Sequence, residues 1–187
     1  MPRVGLTSQR VVEEAAAVAD EVGLDRLTLA AVAQRVGVAL PSLYKHVSGL
    51  DGLRRDLAVA GVRHLADVLS QAAVGRAGRD ALEAVADAYR TFAKERPGLY
   101  AATVRAPAAG DEAHEAASQA ALDVVFAVMR GYGLDGADAV HAIRALRAAL
   151  HGFVTMEAGG GFGMPEDVDE SYRRLVGALD AAFGGGR

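Results

Sequence analysis

Apolar residues recur at three- and four-residue steps along most of the chain, which predicts helices rather than strands. Val11, Ala15, Val18 and Val22 mark a first helix over about 8–22, closed by Gly23, where a glycine can take the left-handed conformation that ends a helix. A second helix opens at Thr28, whose hydroxyl can cap free backbone N–H groups; it turns Leu29, Val32, Ala33 and Val36 inward and stops at Gly37. Pro41 suits the first turn of a third short helix, in which Leu43 and Val47 face inward and which is expected to end near Val47. Ser48 with Asp51 three residues on reads as a capping box that opens a long fourth helix, striped by Leu50, Leu53, Leu57, His64, Leu65 and Val68.

Beyond residue 68, alanine and leucine dominate, β-branched runs are absent, and Gly or Pro clusters punctuate the chain at 75–78, 97–98, 107–110, 131–136 and 159–165. Five further helices follow. Leu82, Val85, Tyr89 and Phe92 stripe the fifth, and Leu99 to Val104 form a short sixth. Leu122, Val125, Phe126 and Met129 mark the seventh; Val140, Ile143, Leu146, Leu150 and Phe153 the eighth; Val168, Tyr172, Leu175, Val176, Leu179 and Phe183 the ninth. The tail 184–187 is expected to fray. The fold class is therefore all-α, in a chain of 187 residues that has room for a small N-terminal module, residues 1–50, and one larger helical domain, residues 51–187.

Composition narrows the function classes. No apolar run reaches the roughly 18 residues of a membrane span, and Met1–Gln9 lacks the basic-then-apolar pattern of a signal peptide, so a cytoplasmic address without a membrane partner is expected. Without cysteine there are no disulfides or thiolate metal sites, and the five histidines fall at no metal-binding spacing, so no metal or other cofactor is expected. There is no glycine-rich phosphate loop, nucleophile elbow or cysteine nucleophile, which leaves an enzyme without its parts. The net charge of −4 is unevenly spread. Residues 1–64 hold eight Lys/Arg against seven Asp/Glu, net +1, and residues 65–187 twelve against seventeen, net −5. Any nucleic-acid contact belongs at the N-terminal end.

The stretch Leu27 to Asp51, LTLAAVAQRVGVALPSLYKHVSGLD, carries the chemistry. A helix ending in Val-Gly-Val, a tight turn and a second short helix is how a helix-turn-helix is written in sequence. The second helix displays Pro41, Ser42, Tyr44, Lys45 and His46. Hydroxyls can bond phosphate or base edges, lysine neutralises phosphate, and a proline ring can touch a thymine methyl. By residue type alone, the same side chains would also serve as the ordinary surface of a structural hairpin.

TLAAVAQRVGV followed by LPSLYKHV, soon after the N-terminus and running into one long helix, resembles the tetracycline-repressor (TetR) family, most specifically through Leu43-Tyr44-Lys45-His46. The C-terminal half is similar to a subgroup of that family through AYRTFAKERPGLYAATV (88–104) and RALRAALHGFVTMEAGGGFG (144–163), which includes the His151-Gly152 pair of the eighth helix. The resemblance implies an all-α homodimer: a three-helix helix-turn-helix domain followed by a six-helix effector-binding and dimerisation domain. It implies a regulator, in its usual mode a repressor, that binds double-stranded operator DNA and is released by a small molecule.

Carried onto this chain, the resemblance implies that Tyr44 and His46 bind phosphate, that Pro41, Ser42 and Lys45 meet base edges or backbone, and that Thr28 anchors the second helix to phosphate. Two positions depart from the family pattern. Leu50-Asp51 stands where a phosphate-gripping lysine is common, and Ala39 replaces a polar residue, which shifts the expected burden to Arg3, Arg10, Arg35 and Lys45. Tyr89, Phe92, Leu99, Tyr100, Phe126 and Met129 fall on the helices that enclose the family's effector. Their mixture of rings, thioether and phenols suits a neutral, apolar ligand, with filled core as the alternative. Leu150, Gly152, Phe153, Leu175, Leu179 and Phe183 on the last two helices are the candidate dimer seam, with monomer core as the alternative.

Overall fold

The computed structural model describes residues 6–185, and every regular element among them is helical. In order these are α1 (Ser8–Val22), a 3₁₀ turn (Leu24–Arg26), α2 (Leu29–Val36), α3 (Leu40–Leu43), α4 (Gly49–Ala73), α5 (Gly78–Glu95), α6 (Pro97–Ala102), α7 (Glu112–Gly131), α8 (Gly136–Ala158) and α9 (Val168–Gly184). Among the described residues no helix is long and apolar enough to cross a membrane. Arg3 and the last two residues of the expected tail lie outside the described residues; the rest of that tail continues α9 through Gly184.

Two expectations change on the structure. The third helix is a single turn: a three-residue bond already joins Ser42 N to Ala39 O at 2.8 Å, and after Leu43 the three-residue bonds of His46 N to Leu43 O at 2.9 Å and Lys45 N to Ser42 O at 3.4 Å stand beside the four-residue bond of Val47 N to Leu43 O at 3.2 Å. The fourth helix also buries a different stripe after Leu57: His64 is exposed, Leu65 and Val68 are half-buried, and Val62, Ala66 and Leu69 face inward instead.

The chain forms two compact units, Met1–His64 with Glu95–Ser118, and Leu65–Lys94 with Gln119–Arg187, and α4 contributes to both. The units cut the chain differently from a division at residue 50, since α6 and the first turns of α7 belong with the N-terminal helices.

In the first unit α1 packs on α2 and α6, and α2 on α3. Val11, Ala15, Leu27, Val32, Leu43, Leu53 and Leu57 are all but inaccessible, each leucine contributing about 1.5–3 kcal/mol by its burial. In the second unit, buried stripes of α5 (Leu82, Val85), α8 (Ile143, Leu146, Leu150) and α9 (Tyr172, Val176) form the core. Its polar fastening is Arg90. Nε and Nη2 of Arg90 meet the Glu157 carboxylate at 2.8 and 2.5 Å, Nη2 reaches Asp169 at 2.7 Å, and the guanidinium carbon lies 4.7 Å from the centre of the Tyr172 ring. The hydrogen bonds from Arg90 hold the Glu157 carboxyl below its ordinary range, against the opposing effect of burial.

Candidate nucleic-acid interface

The helix-turn-helix is set by three local devices. Thr28 caps α2, its Oγ1 accepting from Ala31 N at 3.2 Å; a hydroxyl that accepts still has a proton to donate, so the cap leaves Thr28, which is exposed, able to meet a phosphate. Gly37 ends α2 in the left-handed conformation, φ 74°, which a side chain resists, and this turns the chain toward α3. Leu43 and Val47 then anchor α3 and the turn after it in the core.

With those two residues inward, Pro41, Tyr44 and Lys45 face solvent, Tyr44 being 57% exposed, and Ser42 and His46 are half-buried. Six residues chosen from the sequence thus share the neighbourhood of α2 and α3, three of them on the turn after α3 rather than on a regular helix. Hydroxyls, a prolyl ring and an ammonium in one neighbourhood can make phosphate and base-edge contacts.

Arg35 is engaged elsewhere. Its Nε meets Glu14 at 3.2 Å and its Nη1 meets Glu21 at 2.5 Å, so two carboxylates of α1 already balance this cation. Arg10 is exposed at the start of α1, where Thr7 Oγ1 accepts its backbone N–H.

The candidate effector residues divide between the units: Leu99 and Tyr100 lie in the first, Tyr89, Phe92, Phe126 and Met129 in the second. All are buried except Phe126, which is half-buried. In the first unit His114, on the first turn of α7, is 2% exposed and its Nε2 has no protein hydrogen-bond partner. Such a nitrogen costs about 1–3 kcal/mol unless water or another group satisfies it. Among the described residues no three His, Cys, Asp or Glu side chains come together as a metal site.

Of the candidate seam residues, Leu150 and Phe183 are buried within the chain, and Phe183 packs edge-on against Tyr132 at 5.9 Å between ring centres. Phe153 is half-buried between Phe162 and Tyr172, with centres 4.8 and 4.9 Å away. Leu175 and Leu179 are half-buried, and Gly152 is exposed with open space where a Cβ would stand.

Sequence reasoning missed Asp20 and Arg55, which hold segments many residues away: Asp20 binds Arg96 at 2.6 Å and Arg55 binds Asp111 at 2.5 and 2.7 Å. Nothing local marks either of these two contacts, since Arg96 and Asp111 lie 76 and 56 residues along the chain from Asp20 and Arg55.

Residues 11–56 match the bacterial regulatory proteins of the tetR family, and residues 82–179 match the tetracyclin repressor-like C-terminal domain. The HTH-type transcriptional regulator Rv0681 of Mycobacterium tuberculosis is 39% identical over 165 residues, 88% of this chain and 74% of that protein. The HTH-type transcriptional regulator YobS of Bacillus subtilis is 37% identical over 176 residues, 91% of this chain and 88% of its own length. Among solved structures, TetR-Q116A from Acinetobacter baumannii AYE in complex with minocycline has the same fold, with a TM-score of 0.72 at 22% identity over 96% of this chain and 97% of that one. This chain belongs to the TetR family of helix-turn-helix transcriptional regulators, which are DNA-binding proteins and not enzymes.

Proposed function

We propose that the protein is a cytoplasmic, homodimeric repressor that binds a palindromic operator and is released from it by a small apolar effector. The observation that carries this reading is the exposed set Pro41, Tyr44 and Lys45 beside the Thr28 cap, fixed in place by buried Leu43 and Val47. Thr28, Tyr44 and His46 take phosphate, while Pro41, Ser42 and Lys45 reach base edges or backbone. The operator is then two half-sites about one helical turn, roughly 34 Å, or a multiple of it apart.

Support for assembly comes from α8 and α9. Gly152 sits on an exposed stripe with Ala145 and Ala148, and Leu175 and Leu179 are half-buried, a surface of small and apolar side chains that lets helix backbones approach. Leu150, Phe153 and Phe183 support that seam from beneath. The His151-Gly152 pair supports assigning the C-terminal domain to the subgroup that carries it.

Tyr89, Phe92, Leu99, Tyr100, Phe126 and Met129 are the effector-facing residues, and their chemistry selects a neutral, ring-bearing or lipid-like molecule. Such a molecule shifts DNA affinity only through its preference for one of two conformations.

The test is selection of duplexes from a random-sequence pool by the purified protein, followed by a screen of apolar compounds for thermal stabilisation and duplex release. A two-fold symmetric consensus and compounds that do both are expected. Duplexes recovered without symmetry, or compounds that bind and leave DNA affinity unchanged, would overturn the operator or the effector part respectively.

A further inference from the structure

Among the described residues only two side chains that are neither apolar nor aromatic are buried, Thr103 and His114. Both belong to the first unit, one just after α6 and the other in the first turn of α7. Thr103 is satisfied locally: its hydroxyl donates to the Tyr100 carbonyl oxygen at 2.7 Å, and its oxygen can still accept. His114 is not. Its backbone N–H donates to Asp111 Oδ1 at 3.2 Å, but Nε2 of its ring is shut away from solvent with no protein partner. An apolar side chain would fill the same space without that cost, so an unbonded nitrogen here calls for a partner that the chain itself does not supply.

The turn that carries His114 is fixed in place. Arg55 of α4 holds Asp111 through two bonds, Nε to Oδ2 at 2.7 Å and Nη2 to Oδ1 at 2.5 Å. Six residues further along α4, about 9 Å, α6 passes Gly61 closely. A Cβ on Gly61 would lie 2.8 Å from Leu99 O and 3.0 Å from Thr103 Cγ2. One short stretch of α4 is therefore flanked by the turn of His114 and by the Leu99–Thr103 stretch. Ala58, Val62, Ala102 and Ala117, buried in these same turns, bring no polar side-chain atom of their own.

Charge decides what kind of group Nε2 can meet. Arg55 is already paired with Asp111 and with Asp56 at 2.9 Å, and Asp111 is spent on Arg55 and the His114 backbone. An ammonium brought to Nε2 would have no carboxylate left to meet, and a carboxylate would have to draw a proton onto a buried ring. A neutral group carries neither cost. A hydroxyl both donates and accepts, so it suits Nε2 in either tautomer of the neutral imidazole.

We propose that His114 is the polar anchor of the effector site, and that the effector is a neutral ring-bearing or lipid-like molecule carrying a hydroxyl that bonds Nε2. The proposal rests on the reading of Leu99 and Tyr100 as effector-facing, and it narrows that apolar class to its hydroxylated members. A molecule of the same shape without the hydroxyl leaves the nitrogen unbonded, which is a sharper basis for rejection than a change of apolar volume.

Two matched pairs of probes test this on the full-length protein: biphenyl with para-hydroxybiphenyl, and naphthalene with naphthol. Wild type is expected to bind the hydroxylated member of at least one pair at least tenfold more tightly, and His114→Leu and His114→Phe should bring that ratio within threefold of unity. In nitrogen-15 spectra of histidine-labelled protein, the His114 Nε2 resonance, identified by its loss in the variants, should move with the hydroxylated probe and stay put with the plain ring. With no probe present, the better of the two variants should melt about 2–4 °C above wild type, because an apolar side chain replaces an unbonded nitrogen. Both variants melting below wild type, equal binding within each pair, no binding of either pair, or a ratio that survives in the variants would each overturn the anchor; if neither variant folds, the Nε2 resonance decides. Should hydroxylated probes bind through His114 while no compound in the wider screen releases DNA, the effector reading fails and the anchor stands as a ligand site. Compounds that release DNA equally from wild type and both variants would sink the anchor and spare the effector reading.

Discussion

The Tyr172 hydroxyl donates to the Ala86 carbonyl oxygen at 2.5 Å, tying α9 to α5 inside the second unit. The ring is 1% exposed, and burial pushes its phenol well above the usual range, so it is protonated and donating at every physiological pH. Tyr172→Phe removes one neutral hydrogen bond and should cost about 1 kcal/mol, whereas Tyr172→Ala opens a cavity and should cost about 3–5 kcal/mol. Urea unfolding of the two variants measures the difference.

Acid sensitivity should trace to Glu157. Its folded-state carboxyl titrates below the unfolded one, chiefly because Arg90 bonds the ionised form. The stability it contributes is therefore complete above the unfolded value, about pH 4.3, and is lost as pH falls through the lower folded value. Glu157→Gln should be less stable than wild type at pH 7, and the gap should narrow toward pH 3. Melting temperatures across that range provide the check, and a gap that stays constant would contradict this account.

For DNA, Tyr44→Ala and Lys45→Ala should each weaken duplex binding, and loss of one phosphate contact should lower the slope of log affinity against log salt by about one. Arg35→Ala should leave that slope unchanged, because Glu14 and Glu21 already take up its charge. Titrations at several salt concentrations separate the two cases.

Assembly is best probed at Gly152. A Cβ there meets nothing of its own chain, so Gly152→Leu should leave the protomer's fold intact while weakening the dimer at least tenfold. Leu179→Glu should give monomers or insoluble protein. Sedimentation at micromolar concentration reads both, and a wild type that is monomeric there would remove the seam.

Phe126, the half-buried member of the candidate effector set, should be tunable without unfolding. Phe126→Ala should keep duplex affinity and alter which apolar compounds release DNA, as scored by competition assays on wild type and variant.

The helices were legible because their ends are written locally: α1 begins and ends within a residue of its expected span, Thr28 caps α2 and Gly37 closes it. The shortness of α3 was not, since the mixture of three- and four-residue bonds around Leu43 leaves no mark in the apolar spacing. The outward turn of His64 was hidden for another reason: Val62, Ala66 and Leu69 form a second apolar stripe beside it, and spacing alone does not say which of two overlapping stripes is buried. Leu150 and Phe183 show the limit for the candidate seam, because an apolar side chain on α8 or α9 reads alike whether its own chain or a second copy covers it. Asp20 escaped notice because a carboxylate on an amphipathic helix reads as solvated surface until the chain returns at Arg96.

The division of the chain also bears on inheritance and transplantation. A reading head cut out at residue 56 or 64 would leave behind α6, and with it the cover over Ala19 and the partners of Asp20. Chimeras that graft these N-terminal helices onto another regulator's C-terminal domain would need residues 95–118 to travel with them, or a recipient whose own α6 presents a glycine where α1 passes. Recombination between relatives is then constrained at two distant stretches at once, and the head and its α6 are expected to evolve as one cassette, although the chain separates them.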